Sequence, residues 1–162
     1  MVERSVLPQF VGLPVRVYSE VHITRPPADV WRCFSDPTRW SAWSPICTEC
    51  RVADGRPLVA GSTLVMRLRI LGFTFAVRAP VVCVEPAEVI GWEFHQFGMM
   101  ASHVYRLRAH GQGTLMSNEE TLWGLPGPLR SLVRTWFAST DLSRRSLNGI
   151  RSVVERTGIA PP

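Results

Sequence analysis

The chain has 162 residues, 46% of them hydrophobic and 19% charged, with a formal net charge of +5 and a pI near 9.7. That length makes one domain and buries roughly two-thirds of its unfolded surface, so neither a disulfide nor a metal staple is required. The basicity does not mark a nucleic-acid protein. All 18 basic residues are arginine, spread from Arg4 to Arg156 with no run longer than Arg144-Arg145, and no aromatic residues interleave with a basic stripe.

No stretch approaches the ~20 apolar residues of a membrane-spanning helix, so no stable membrane insertion is expected. Residues 1–14 read as an irregular leader that lacks a hydrophobic signal core and a small-residue cleavage site. A cytoplasmic location follows, with Cys33, Cys47, Cys50 and Cys83 as free thiols. The exclusive use of arginine reads as codon bias of a GC-rich genome.

Val15 to Thr24, VRVYSEVHIT, is rich in β-branched residues and predicts a first strand. Pro26-Pro27 breaks it, and residues 28–34 predict a short helix whose apolar face is Val30, Trp31 and Phe34. Asp36-Pro37 starts a second short helix carrying Trp40 and Trp43 on one face. After Pro45 the period becomes two. Strands are expected over 47–53 and along Leu64, Met66, Leu68 and Ile70, which alternate with Arg67 and Arg69. More follow along Phe73 to Cys83, along Ile90, Trp92 and Phe94, and as a last hairpin over 102–108 and 114–122. Past Gly124 the period becomes helical. Leu129, Leu132, Val133, Trp136, Thr140, Ser143, Leu147, Ile150 and Val154 share one stripe, ended by Gly158.

Sequential strands with short turns form an antiparallel meander whose apolar face needs a cover, and only the C-terminal helix is large enough. The expected class is therefore α+β: a helix-grip fold, a curved antiparallel sheet of about seven strands around one long C-terminal helix. It occupies 15–157, with 158–162 as a tail. A bent sheet cannot touch one helix across its whole width, so an internal cavity is expected between them.

The run from Ile23 through Pro45 resembles the opening of the polyketide cyclase and START-like superfamily, which includes the birch-pollen-allergen fold. The residues carrying the likeness are Pro26, Val30, Trp31, Asp36, Trp40, Trp43 and Pro45. Further pieces are Val89-Ile90-Gly91-Trp92, His103-Val104-Tyr105, Gly113-Thr114, Glu120 before Gly124, and the terminal DLSRRSLNGIRSVVE. The resemblance implies a hydrophobic-ligand pocket. Members act as lipid or steroid carriers, hormone receptors, or aromatases and cyclases of polyketides. The family has no shared catalytic motif to transfer, and one scaffold hosts many activities.

With Gly111-Gln112 at its tip, the last hairpin pairs His103 with Glu120, Tyr105 with Asn118 and Leu107 with Met116. The opposite face carries Arg106 and Arg108, so the first face is assigned to the interior. Met66, Phe75, Trp92, Phe94, Asn118, Trp136 and Thr140 are the expected ligand-lining residues. Two readings of His103, Tyr105 and Glu120 stand side by side. The carboxylate can orient and charge the imidazole as an acid–base pair while Tyr105 and Asn118 polarise a carbonyl. Equally, His103 and Glu120 can form a rim ion pair without chemistry. Cys47-x-x-Cys50 is not read as a metal site: residues three apart on a strand point to opposite faces, and no second Cys/His pair supplies the remaining ligands.

No metal and no cofactor is therefore expected. The expected partner is a small hydrophobic molecule, lipid-like or aromatic, bound by a monomer or homodimer acting as carrier or sensor. A polyketide cyclase or aromatase is the alternative enzyme, and a protein-interaction module the third reading.

Overall fold

A computed structural model describes residues 13–96 and 98–157 of the chain. The leader expected over 1–14, apart from its last two residues, lies outside the described residues, as do the tail and Gly158.

β1 is Val15–Ile23, and Pro26 and Pro27 then set the extended-to-helical turn into α1, Pro27–Phe34. A 3-10 helix follows at Pro37–Ala42, capped by the Asp36 carboxylate, which accepts from the Thr38 amide at 3.1 Å. The strands are β2 Cys47–Val52, β3 Thr63–Ile70, β4 Phe73–Glu85, β5 Val89–Gln96, β6 Met99–His110 and β7 Gly113–Trp123. They form one seven-stranded sheet in the order β1-β7-β6-β5-β4-β3-β2, every neighbouring pair antiparallel. This is the helix-grip architecture expected from the sequence.

The last hairpin has the expected register: His103 pairs with Glu120, Tyr105 with Asn118 and Leu107 with Met116. Tyr105, Leu107, Met116, Asn118 and Glu120 are buried, while Arg106 and Arg108 are exposed. Gly111 takes φ +58° at the first central position of the two-residue turn, where a glycine is favoured.

The C-terminal helical segment is in two pieces rather than one, α2 Gly127–Thr140 and α3 Leu142–Arg156. Between them Asp141 sits in the left-handed region at φ 48°, ψ 37°, a conformation that aspartate tolerates better than most residues. Just before it, the hydroxyls of Ser139 and Thr140 both donate to the Trp136 carbonyl, at 3.0 and 2.8 Å. Such side-chain bonds compete with the helical ladder.

α3 carries the buried half of the stripe, with Leu142, Ser143, Leu147, Ile150 and Val154 all inward. α2 does not. Leu132 is 65% and Leu129 40% exposed, and Trp136, expected to pack on the sheet, is half-buried.

Hydrogen bonds at both ends of α3 fix which part of the sheet it covers. Near its start Ser143 accepts from Asn118 at 2.9 Å. Near its end the Glu155 carboxylate accepts from the Thr24 amide and hydroxyl at 2.9 and 2.8 Å. Between these levels the core is closed over Ile23, Phe34, Leu64, Ile90, Met116, Leu147 and Ile150, each fully buried. Gly149 lets α3 lie directly on the end of the 3-10 helix, since a Cβ there would stand 2.2 Å from the Trp43 carbonyl oxygen.

Candidate functional site

Beyond the level of Asn118 the concave face continues without α3 above it. Glu120, His103, Trp92 and Phe94 occupy that stretch on β7, β6 and β5. Leu68, Ile70, Phe73 and Phe75 extend it on β3 and β4. Exposure rises along it. Met66 and Trp92 are each 5% exposed, Phe75 is 44% and Phe73 69%.

The β4–β5 register ends at Val81 and Trp92, with a shift between Val81 and Cys83, so β4 from Phe73 to Pro80 pairs with β3 alone. The inner face is thus buried at Met66 and Trp92 and exposed at its far end, at Phe75 and Phe73.

Phe75, expected inside, is therefore at the uncovered rim rather than in an enclosed lining. The two-stranded β3–β4 arm carries it past the last rung shared with β5. Thr140 is half-buried with its hydroxyl committed to its own helix, and Trp136 stands one turn before it. Met66, Trp92, Asn118 and Glu120 are buried, and Phe94 and His103 are half-buried.

At the boundary between closed and open halves sits one connected polar cluster. Asn118 Nδ2 donates to Glu120 Oε1 at 2.7 Å and to Ser143 Oγ at 2.9 Å. The second carboxylate oxygen, Oε2, lies 3.8 Å from His103 Nδ1, an ion-pair separation longer than a hydrogen bond. Asn118 is fully buried, and its Oδ1 has no partner among the described residues. Turning the amide over would set Oδ1 against the Glu120 carboxylate, so the observed orientation is the favourable one.

Aromatic rings brace this cluster. Trp92 stacks on His103 at 5.5 Å and 8° and on Tyr105 at 5.4 Å and 14°. Phe34 packs on Tyr105 at 4.8 Å, and Trp40 on Trp92 at 4.8 Å. Trp40 also donates Nε1–H to the Phe34 carbonyl at 2.8 Å, so Trp40 and Trp43 are core residues beneath the sheet edge. Burial pushes the Tyr105 phenol well above its ordinary range, and the Glu120 charge adds to the shift. At neutral pH Tyr105 is thus a neutral hydroxyl beside the carboxylate.

Cys47 and Cys50 depart from the expected geometry. A bulge in β2 between Cys47 and Glu49 inserts one residue into the pleat and turns both thiols inward, at 6% and 3% exposure. Cys47 donates its S–H to the Glu49 carbonyl at 3.3 Å, while the two neighbouring thiols split apart, Cys50 lowering the Cys47 thiol and Cys47 together with burial raising the Cys50 thiol far above the usual range. Among the described residues no group of three or more His, Cys, Asp or Glu side chains is placed to hold a metal ion.

Ser143 was readable as a hydroxyl in the helix stripe, but its role as partner of Asn118 was not. Two outer grooves, of about 680 and 730 Å³, lie elsewhere and include no member of the polar cluster. Among the described residues no helix is long and apolar enough to cross a membrane.

A curled antiparallel sheet closed at one end by a C-terminal helix, with a polar cluster at the edge of an open apolar face, defines a helix-grip protein. The chain belongs to the family described as polyketide cyclase / dehydrase and lipid transport, whose model matches residues 14–155. No curated protein matches the sequence significantly.

Solved structures share the fold at low identity. The Zhui aromatase/cyclase from Streptomyces sp. R1128 superposes with a TM-score of 0.72 at 14% identity, over 89% of this chain and 95% of that one. The ginseng major latex-like protein 151 from Panax ginseng gives 0.71 at 13%, over 88% and 98%. A START superfamily protein from Mycobacterium smegmatis gives 0.68 at 18%, over 87% and 97%.

Proposed function

We propose that this protein binds a small, largely apolar molecule, lipid-like or aromatic, in the open half of its concave face, and acts as a cytoplasmic carrier or sensor. One observation carries the reading. α3 begins at the level of Asn118, and beyond it, among the described residues, the apolar face passes from half-buried Phe94 to Phe75 at 44% and Phe73 at 69% exposure. Phe73 and Phe75 bring large apolar groups to water there, the usual mark of a binding surface. The family description, which couples cyclase activity with lipid transport, supports the same class of ligand.

A second reading, a cyclase or aromatase, is favoured by the gathering of His103, Tyr105 and Glu120 at the edge of that face. In it Glu120 orients His103 as the proton-transferring group, and the neutral Tyr105 hydroxyl donates to a substrate carbonyl.

The test is a titration with N-phenylnaphthylamine, a neutral apolar fluorophore. Binding is expected at one probe per chain with energy transfer from Trp92. Phe75→Asp should weaken it at least roughly tenfold while the far-ultraviolet spectrum is unchanged, because a charge replaces apolar contact. Absence of saturable binding overturns the proposal. The enzyme reading requires that His103→Ala and Glu120→Gln abolish turnover of a polyketide-like substrate while probe binding persists.

A further inference from the structure

The open half of the interior is not simply greasy; its polar groups are unbalanced. Along the concave face of all seven strands the formal charge is Glu120 alone, since the arginines of the sheet alternate onto its outer side. The Glu120 side chain is 10% exposed and that of His103 21%. One carboxylate oxygen is held by Asn118, and the other faces His103 across 3.8 Å without a hydrogen bond. Beside it Asn118 Oδ1 is a second acceptor, fully buried and without a described partner. A buried acceptor left without a donor costs on the order of 1–3 kcal/mol, more where the acceptor is charged. The walls around these acceptors are rings: Trp92 stacked on His103, Phe94 at 6.3 Å from His103, and Tyr105 behind. Ring faces attract cations and offer nothing to anions.

We propose that the ligand is an amphiphile with a protonated amine head, and that Glu120 and Asn118 Oδ1 receive its N–H donors while the apolar tail lies along Phe94, Phe75 and Phe73. The inference rests on the binding function proposed above and adds the chemistry of the head group. An ammonium brings up to three donors and one positive charge, which matches two free acceptors, one net negative charge and an aromatic wall. A hydroxyl head supplies one donor and no charge. A carboxylate head supplies neither, and meets Glu120 as a like charge with no arginine on the face to offset it. Among the described residues, His103, the Tyr105 hydroxyl and, behind Tyr105, the Cys47 thiol are the other titratable groups on this side. Tyr105 stays neutral.

Three ligands with the same tail separate these cases: dodecylamine, dodecanol and dodecanoate, each below its micelle concentration. Each displaces N-phenylnaphthylamine from the wild-type protein at low salt and about pH 8, above the ordinary imidazole range. The expected order is amine, then alcohol, then carboxylate, with the amine at least roughly tenfold tighter than the carboxylate. Glu120→Gln keeps the shape and the bond from Asn118 but removes the charge. It should erase the amine's advantage while leaving dodecanol within about twofold. A carboxylate that binds as tightly as the amine overturns the proposal, as does an amine-to-carboxylate ratio unchanged in Glu120→Gln. The ranking on the wild-type protein decides the matter if that variant fails to fold. If neither the fluorophore nor any of the three ligands binds, the binding function itself falls. If all bind alike, only the head-group assignment falls.

Discussion

Gly149→Ala tests how tightly α3 is locked to the closed half. The new Cβ would stand 2.2 Å from the Trp43 carbonyl oxygen, 3.0 Å from its carbonyl carbon and 3.2 Å from its α-carbon. All three are backbone atoms, so no rotamer change relieves the contact. Either α3 lifts by about an ångström or the end of the 3-10 helix moves, and both are pinned. Leu147 and Ile150 flank the site at zero exposure, and Trp40 and Trp43 are buried behind it. Overpacking of this kind costs about 1–3 kcal/mol and sometimes more. Replacing a mid-helix glycine by alanine returns about 1 kcal/mol of helix propensity. The net expectation is a loss of about 1 kcal/mol, and up to about 2, or roughly 2–8 °C in Tm for a chain of this size. Thermal and urea unfolding followed by circular dichroism measure it. Gly127→Ala, whose Cβ meets nothing within 4 Å, is the control and should leave the Tm within about a degree or two. A Gly149→Ala protein as stable as the wild type would refute the close packing of α3 on Trp43.

Trp40→Ala, emptying a side chain that is 2% exposed, should cost about 3–5 kcal/mol, and half-buried Trp136→Ala about half as much. Equal losses in urea unfolding would contradict the division between closed and open halves. Tyr105 gives a pH signature. Below about pH 10 both folded and unfolded chains keep its proton. Above that, the unfolded chain releases a proton that the folded chain holds, so stability falls as pH rises towards the raised native value. Tyr105→Phe should flatten that alkaline fall, and identical pH slopes for the two proteins would remove Tyr105 from the buried cluster. Cys50→Ala removes the neighbouring thiol that lowers Cys47, so Cys47 should titrate at higher pH. Thiolate absorbance in a background lacking Cys33 and Cys83 reads this directly, and an unmoved titration would separate the two sulfurs.

The register of the last hairpin was legible because period-two alternation and a two-residue glycine turn leave few alternatives. Arg106 and Arg108 then choose which side faces water. What the sequence concealed was geometry that does not disturb periodicity. One residue inserted at the β2 bulge reverses the facing of everything before it, so Cys47 and Cys50 share a side although their spacing argues otherwise. The break at Asp141 is silent for the opposite reason. Trp136, Thr140, Ser143 and Leu147 stay in helical phase across it, and the adjacent hydroxyls of Ser139 and Thr140 are its one local hint. Phe75 was assigned to the interior correctly by face and too deeply by level. Strand alternation fixes the side of a sheet, whereas the reach of β4 beyond β5 depends on the whole sheet's curvature.

The placement of strain bears on why the open half stays open. Three non-glycine residues among those described have left-handed backbones: Leu71, Ala87 and Asp141. Two of them bound the open half, Leu71 at the tip of the β3–β4 arm and Asp141 at the joint of α2 with α3. Each left-handed residue costs about 1–2 kcal/mol, a sizeable fraction of a net stability of roughly 5–15 kcal/mol. Leu71 is also 77% exposed, so no burial offsets its conformation. Stability alone would favour a glycine at 71 and an unbroken helix through 141, as in the fully packed end of the molecule. In the proposed binding function, a ligand lying on Phe73 and Phe75 would supply the missing burial from outside the chain. It binds the folded protein and not the unfolded one, so at a hundredfold excess over its Kd it adds about 2.7 kcal/mol. The region that gives up stability in the empty protein is therefore the region where the proposed ligand would restore it. The closed half, locked through Gly149 and Leu147, would be the fixed wall for that proposed binding.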